Sequence, residues 1–97
     1  MKQKRNYNDP VYSRWRQEVY KRDGHRCQMP SCKARKHLQV HHIRKWSEAS
    51  SMRYDVSNGI TLCWRCHKDV TGSEAHFEGL FISIVAENAK RTLIYCY

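Results

Sequence analysis

Apolar residues recur at helical spacing in two stretches of the chain, and between them lie two short β-prone runs. Val11, Trp15 and Val19, joined by Tyr12 or Tyr20, repeat at the helical period through Arg22. Asn8-Asp9-Pro10 stands before them: Asp9 offers a capping oxygen, and the fixed φ of Pro10 suits a first helical position. Asp23-Gly24 stops the pattern, and Arg14, Arg16, Lys21 and Arg22 fall mostly on the polar face. The second stretch, Phe77, Leu80, Phe81, Ile84 and Val85, predicts a helix over roughly 73–88 that closes the core, with Ser73 as cap and Glu74 in its first turn.

Leu38-Gln39-Val40 and Ile60-Thr61-Leu62 read as short strands, and Asn58-Gly59 before the second is a turn signal. Cys63-Trp64-Arg65-Cys66-His67 opens a helix that runs to about Val70 and is broken by Thr71-Gly72. Residues 44–59 predict a long loop, ordered by its own apolar side chains Trp46, Met52, Tyr54 and Val56; a loop of that length in a compact domain is usually functional. Thr92–Tyr97 is β-prone and apolar, suited to an added strand, a docked tail or a dimer contact. Residues 1–9 are polar and charged without periodicity and read as a flexible basic arm on a single domain over 10–97.

Composition changes this picture in two ways. A chain of 97 residues buries a small core, which commonly needs a metal, disulfides or a partner. The net charge of +9 is also one-sided: residues 1–54 hold 14 Lys+Arg against 4 Asp+Glu, and residues 55–97 hold 4 against 5. That asymmetry, with a pI near 9.6, is the footprint of a polyanion binder. No run approaches the ~18 apolar residues of a membrane span, so no membrane partner is expected. The N-terminus lacks the apolar stretch of a secretory signal, which makes a reducing cytoplasm the expected compartment. There, paired cysteines serve as metal ligands more often than as disulfides.

Cys27 and Cys32 form one close pair, with a proline between them, and Cys63 and Cys66 form another where a strand becomes a helix. Two such pairs supply the four thiolates of a structural Zn²⁺ site, which leaves no open coordination position. A disulfide framework or a redox Cys-x-x-Cys fits less well, the latter because it gives the companion pair no role. Cys96 reads as a free thiol.

Among six histidines, His25, His37 and His76 have no evident partners and read as surface or local hydrogen-bonding residues, with His25 and His37 also candidates to touch phosphate. His41 and His42 end the first strand, and His67 follows the second cysteine pair. If the two strands pair, these three come close. Two neutral imidazoles could then hold a divalent cation while a third acts as a base. Alternation along a strand sends His41 and His42 to opposite faces, so both reach one site only where the strand ends or twists.

Val40-His41-His42-Ile43, Asn58 and Cys63-x-x-Cys66-His67, in this order, resemble the HNH endonucleases, the ββα-metal or His-Me finger nucleases; the likeness extends from the Trp15-Arg16…Arg22-Asp23 helix through the Cys27/Cys32 pair and covers roughly residues 11–72. The resemblance implies an α+β fold: a small zinc-stabilised ββα-metal domain with flanking N- and C-terminal helices. It implies an endonuclease that hydrolyses phosphodiester bonds of double-stranded DNA to 5′-phosphate and 3′-hydroxyl ends. His42 would be the general base, and His41 and His67 would hold a catalytic Mg²⁺, Mn²⁺ or other divalent cation. Asn58 would brace the loop that orients His42. Some members carry a further histidine four residues after the helix histidine, where this chain has Thr71, and Asp is common at the place of His41.

Arg44, Lys45, Arg53, Arg65 and Lys68 flank the motif as candidate phosphate contacts, and Trp46 as a loop anchor. A monomer would nick one strand, and a weak homodimer could cut both. A stand-alone nuclease of this kind is similar to those of phages, which sets the expected location in a bacterial or phage-infected cell. The competing readings are a non-catalytic zinc-containing nucleic-acid-binding module, which leaves the three histidines without a task, and a structural zinc domain, which explains neither the histidines nor the charge.

Overall fold

The computed structural model of the chain describes residues 9–44 and 53–95, with side chains placed as far as residue 91. The expected basic arm, apart from Asp9, lies outside the described residues, as do Lys45, Trp46, Met52 and Cys96. The elements run α1 (Pro10–Arg22), β1 (Leu38–His42), β2 (Gly59–Cys63), α2 (Trp64–Val70) and α3 (Glu74–Tyr95), with a 3-10 turn at Val56–Asn58 leading into β2.

α1 begins and ends as its sequence signals dictate. The Val11 N–H donates to the Asp9 carboxylate at 2.9 Å, and Pro10 fills the position whose N–H would have no partner. At the other end Gly24 takes φ 71°. That lets the His25 and Gly24 N–H groups close back on the Tyr20 and Lys21 carbonyls at 2.9 and 3.3 Å. The buried stripe is Tyr12, Trp15 and Val19, whereas Val11 is 54% exposed. Trp15 and Val19 are thus buried as the spacing predicts, and Tyr12 completes the stripe in place of Val11, its ring 5.9 Å from that of Trp15.

β1 and β2 pair antiparallel, with Leu38 opposite Cys63, Val40 opposite Thr61 and His42 opposite Gly59. α1 covers one face of this pair with Val40, Tyr54 and Val56. The other face carries Ile60 and Leu62 into a cluster with Cys27, Cys66 and Val70, closed by Phe81 and Val85 of α3. With both faces covered, all five residues of β2 are buried.

The turn expected at Asn58-Gly59 is present but ends at Asn58, and Gly59 lies beyond it. Its backbone is extended, at φ −119° and ψ 145°, and it is the first residue of β2. What it supplies is room: a Cβ there would lie 2.7 Å from the Trp15 ring and 2.8 Å from Val19. Gly59→Ala is expected to destabilise the domain by about 1–3 kcal/mol through overpacking, measurable as a lower denaturation midpoint with zinc content unchanged.

Arg22 is likewise not an outward-facing cation. Its side chain is 5% exposed and forms a two-pronged ion pair with the fully buried Asp23 carboxylate at 2.9 Å. The guanidinium also donates to the carbonyls of Val56 at 2.6 Å and Gly59 at 2.5 Å. The Asp23 carboxylate accepts in turn from the Thr61 N–H and the Asn88 amide, both at 2.9 Å. One carboxylate thus ties together α1, β2 and α3. Asp23→Ala is expected to cost about 3–5 kcal/mol, because it strands a buried guanidinium, read by chemical denaturation.

α3 turns Phe77, Phe81, Ile84 and Val85 inward as its spacing predicts, while Leu80 stays 41% exposed. It also runs on to Tyr95, so Thr92–Tyr95 continue a helix and add no strand. No proline or glycine interrupts the chain after Gly79, and each residue added to an existing helix gains a hydrogen bond. That outweighs a weak β preference. None of the described helices is long and apolar enough to cross a membrane.

Candidate metal centre and active site

Cys27 and Cys32 are presented by a tight turn in which Ser31 and Lys33 take φ 74° and 59°. The Cys27 N–H bonds the Ala34 carbonyl at 2.8 Å, and the Cys32 N–H bonds the Met29 carbonyl at 3.0 Å. The second pair comes from the junction of β2 and α2, where Cys63 is the residue before the helix. All four sulfurs lie within 4.8 Å of one another, and all four thiols are free. The Cys32 and Cys63 sulfurs are 3.7 Å apart. That is too long for a disulfide and matches the ~3.8 Å edge of a tetrahedron whose corners are each ~2.3 Å from one zinc ion.

Electrostatics support the same fit. The Cys66 backbone N–H, more than any other group, stabilises the Cys63 thiolate and lowers its pKa to about 7. Burial pushes Cys27 and Cys66 the other way, holding those thiols protonated. Four sulfurs in this apolar setting need a cation to become four thiolates, and a structural zinc ion meets that need.

The histidines divide between the two faces of the sheet. β1 continues through His42, so strand alternation holds. His41 points toward α2 and α3, with its ring 5.5 Å from His67 and 5.7 Å from Phe81. Two imidazoles sharing one ion at ~2.1 Å place their ring centres ~3 Å from it, so the 5.5 Å separation fits a common cation. His42 points toward α1, where it stacks on Trp15 at 4.3 Å. Its Nε2 is 2.9 Å from the Arg53 carbonyl. A carbonyl only accepts, so Nε2 carries the proton and the lone pair sits on Nδ1. Trp15 also donates its indole N–H to the Asp55 carbonyl at 2.7 Å, fixing the approach to β2.

Asn58 is 2% exposed. Its side chain accepts from the Arg44 N–H at 2.9 Å and donates to the Arg44 carbonyl at 3.3 Å, and its own carbonyl accepts from the Ile43 N–H at 2.8 Å. It therefore clamps the chain where it leaves β1, two residues past His42. Thr71 does not stand in for a ligand: its hydroxyl donates to the His67 carbonyl at 2.7 Å and finishes α2.

The cationic candidates scatter around this frame. Arg44 is exposed beside the Asn58 clamp, and Arg53 reaches His42 through its carbonyl. Arg65 and Lys68 line a cleft on the outer side of α2 with Lys36 and Trp64, and the Lys68 ammonium lies 4.6 Å over the Trp64 ring. Lys45 lies outside the described residues. His25, His37 and His76 are exposed as expected, and the His37 carbonyl accepts the first N–H of α2. Trp15 and the Arg53 carbonyl are the contacts at His42 that sequence reading missed. Trp15 is legible only as a core residue, and a backbone carbonyl has no sequence signature.

Residues 26–72 match the model of the family described as HNH endonuclease. No match to a curated protein or to a solved structure was found. The matched segment contains the cysteine cluster, both strands, α2, and His41, His42, Asn58 and His67. Over residues 26–72 the chain thus matches the HNH endonuclease model, and its two-stranded antiparallel sheet, the helix that follows it and four cysteines positioned to hold a metal ion are consistent with a small ββα-metal HNH domain.

Proposed function

We propose that this chain is a metal-dependent endonuclease that hydrolyses the phosphodiester backbone of double-stranded DNA. The observation that carries the reading is the approach of His41 and His67, two imidazoles from different elements, to 5.5 Å beside a separate four-cysteine cluster. The cysteines account for a structural ion and leave this histidine pair for a second one. When bound, a divalent cation such as Mg²⁺ or Mn²⁺ supplies charge to a phosphate oxygen and to the departing 3′ oxygen.

The chain's own residues do the rest. His41 and His67 hold the cation. His41 and His42 are consecutive at the end of β1 but point to opposite faces of the sheet, so this reading requires the scissile phosphate to sit at the strand end, between the two faces. His42, its tautomer set by the Arg53 carbonyl, takes the proton of the attacking water at Nδ1. Asn58 keeps the strand end in place and so keeps His42 aimed. Arg44, Lys45, Arg53, Arg65 and Lys68 hold flanking phosphates, and hydrolysis leaves a 5′-phosphate and a 3′-hydroxyl. One such site per chain nicks one strand.

The test is relaxation of supercoiled plasmid by the zinc-loaded chain. Nicked circles are expected with added Mg²⁺ or Mn²⁺ and none without; no cleavage with either ion would remove the proposal. A second reading, a non-catalytic nucleic-acid-binding module, is favoured by one observation: His41 and His42 are each only 6% exposed, packed against Phe81 and Trp15. Under that reading the chain binds DNA and leaves the plasmid supercoiled.

A further inference from the structure

A second basic cleft lies away from the histidines, between the end of α1, the Cys27–Lys33 turn and α3. Lys21, Arg26, Lys33 and Arg91 line it. Its lining includes one carboxylate, that of Asp23, and this is fully committed to Arg22, Thr61 and Asn88. Among the described residues, none of the four cations is in an ion pair. The cleft is on the far side of β2 from β1. Thr61 directs both its carbonyl, toward the Gln28 N–H at 2.9 Å, and its N–H, toward Asp23, to that side.

We propose that this cleft holds the DNA phosphodiester backbone at a point remote from the cut, extending the contact surface beyond the residues around His41 and His67. The inference rests on the nucleic-acid reading above. Four uncompensated charges around one open cleft repel one another and raise a positive potential that a run of phosphates relieves. The buried Arg22–Asp23–Asn88 network, joined by Gln28 through Asn88 at 2.9 Å, is the rigid floor that keeps the three walls in place. Contacts of this kind position a duplex without reading its sequence.

The test is binding of a labelled duplex oligonucleotide to the zinc-loaded full chain, with no catalytic cation present, across a salt titration. Arg26→Gln combined with Lys33→Gln is expected to weaken binding about tenfold at ~0.1 M salt and to lower the slope of log Kd against log salt by roughly 1–2. The matched control, Arg14→Gln with Lys90→Gln, removes the same charge from exposed positions outside the cleft and is expected to change Kd by less than about threefold. Equal shifts in the two variants, or an unchanged slope in the first, would overturn the proposal. The nuclease reading fails separately: wild-type chain that shows these binding shifts but leaves plasmid uncut with Mg²⁺ or Mn²⁺ keeps the cleft and loses the enzyme.

Discussion

Cys63→Ser is expected to leave the chain unfolded, or melting far below the wild-type protein, even with zinc present. Cys63 joins β2 to α2 and is one of four sulfurs within 4.8 Å of one another. A structural zinc site is worth about 10–16 kcal/mol in small domains, while a domain of this size has a net stability of about 5–15 kcal/mol. Losing even part of the ion's contribution therefore removes most or all of the folded population. Cys27, Cys63 and Cys66 belong to the same buried cluster as Ile60, Leu62, Val70 and Phe81, so releasing the ion also exposes the centre of the core. Circular dichroism melts and metal content by mass spectrometry check this directly. Chelation of the wild-type protein should reproduce the loss, and a cooperatively folded, metal-free protein would contradict the four-cysteine assignment.

Local chemistry made much of this architecture legible in the sequence. Asp9-Pro10 and Asp23-Gly24 mark the ends of α1 because capping is settled within a few residues. The two cysteine pairs announce a metal cluster because ligand spacing is likewise local, and the cluster forms as expected. What stayed hidden depends on distant partners. Arg22 and Asp23 look like a cation and a helix stop, yet Asp23 bonds Asn88, 65 positions away. Gly59 looks like a turn residue until Trp15 and Val19 are seen against it. At the candidate site the approach of His41 to His67 follows from strand pairing, whereas the stacking of His42 on Trp15 needs the position of α1, which no local signal gives.

That stacking shapes the second large effect expected, the loss of cleavage on replacing His42. A positioned general base contributes about 10²–10⁴-fold to a rate, and His42 is the residue proposed for that part. Alanine would also empty a packed position beside Trp15, so His42→Gln is the sharper variant: its side-chain amide keeps a donor for the Arg53 carbonyl while lacking a basic nitrogen. Zinc content and melting temperature should stay near wild type, which separates a chemical defect from a folding one. The decisive measurement is the rate of supercoiled plasmid relaxation in Mg²⁺ or Mn²⁺ by wild-type and His42→Gln chains of equal zinc content. The expected result is metal-dependent nicking by the wild type that falls about 10²-fold or more in the variant; a folded, zinc-loaded His42→Gln chain that nicks at the wild-type rate would contradict the assignment of His42 as the base.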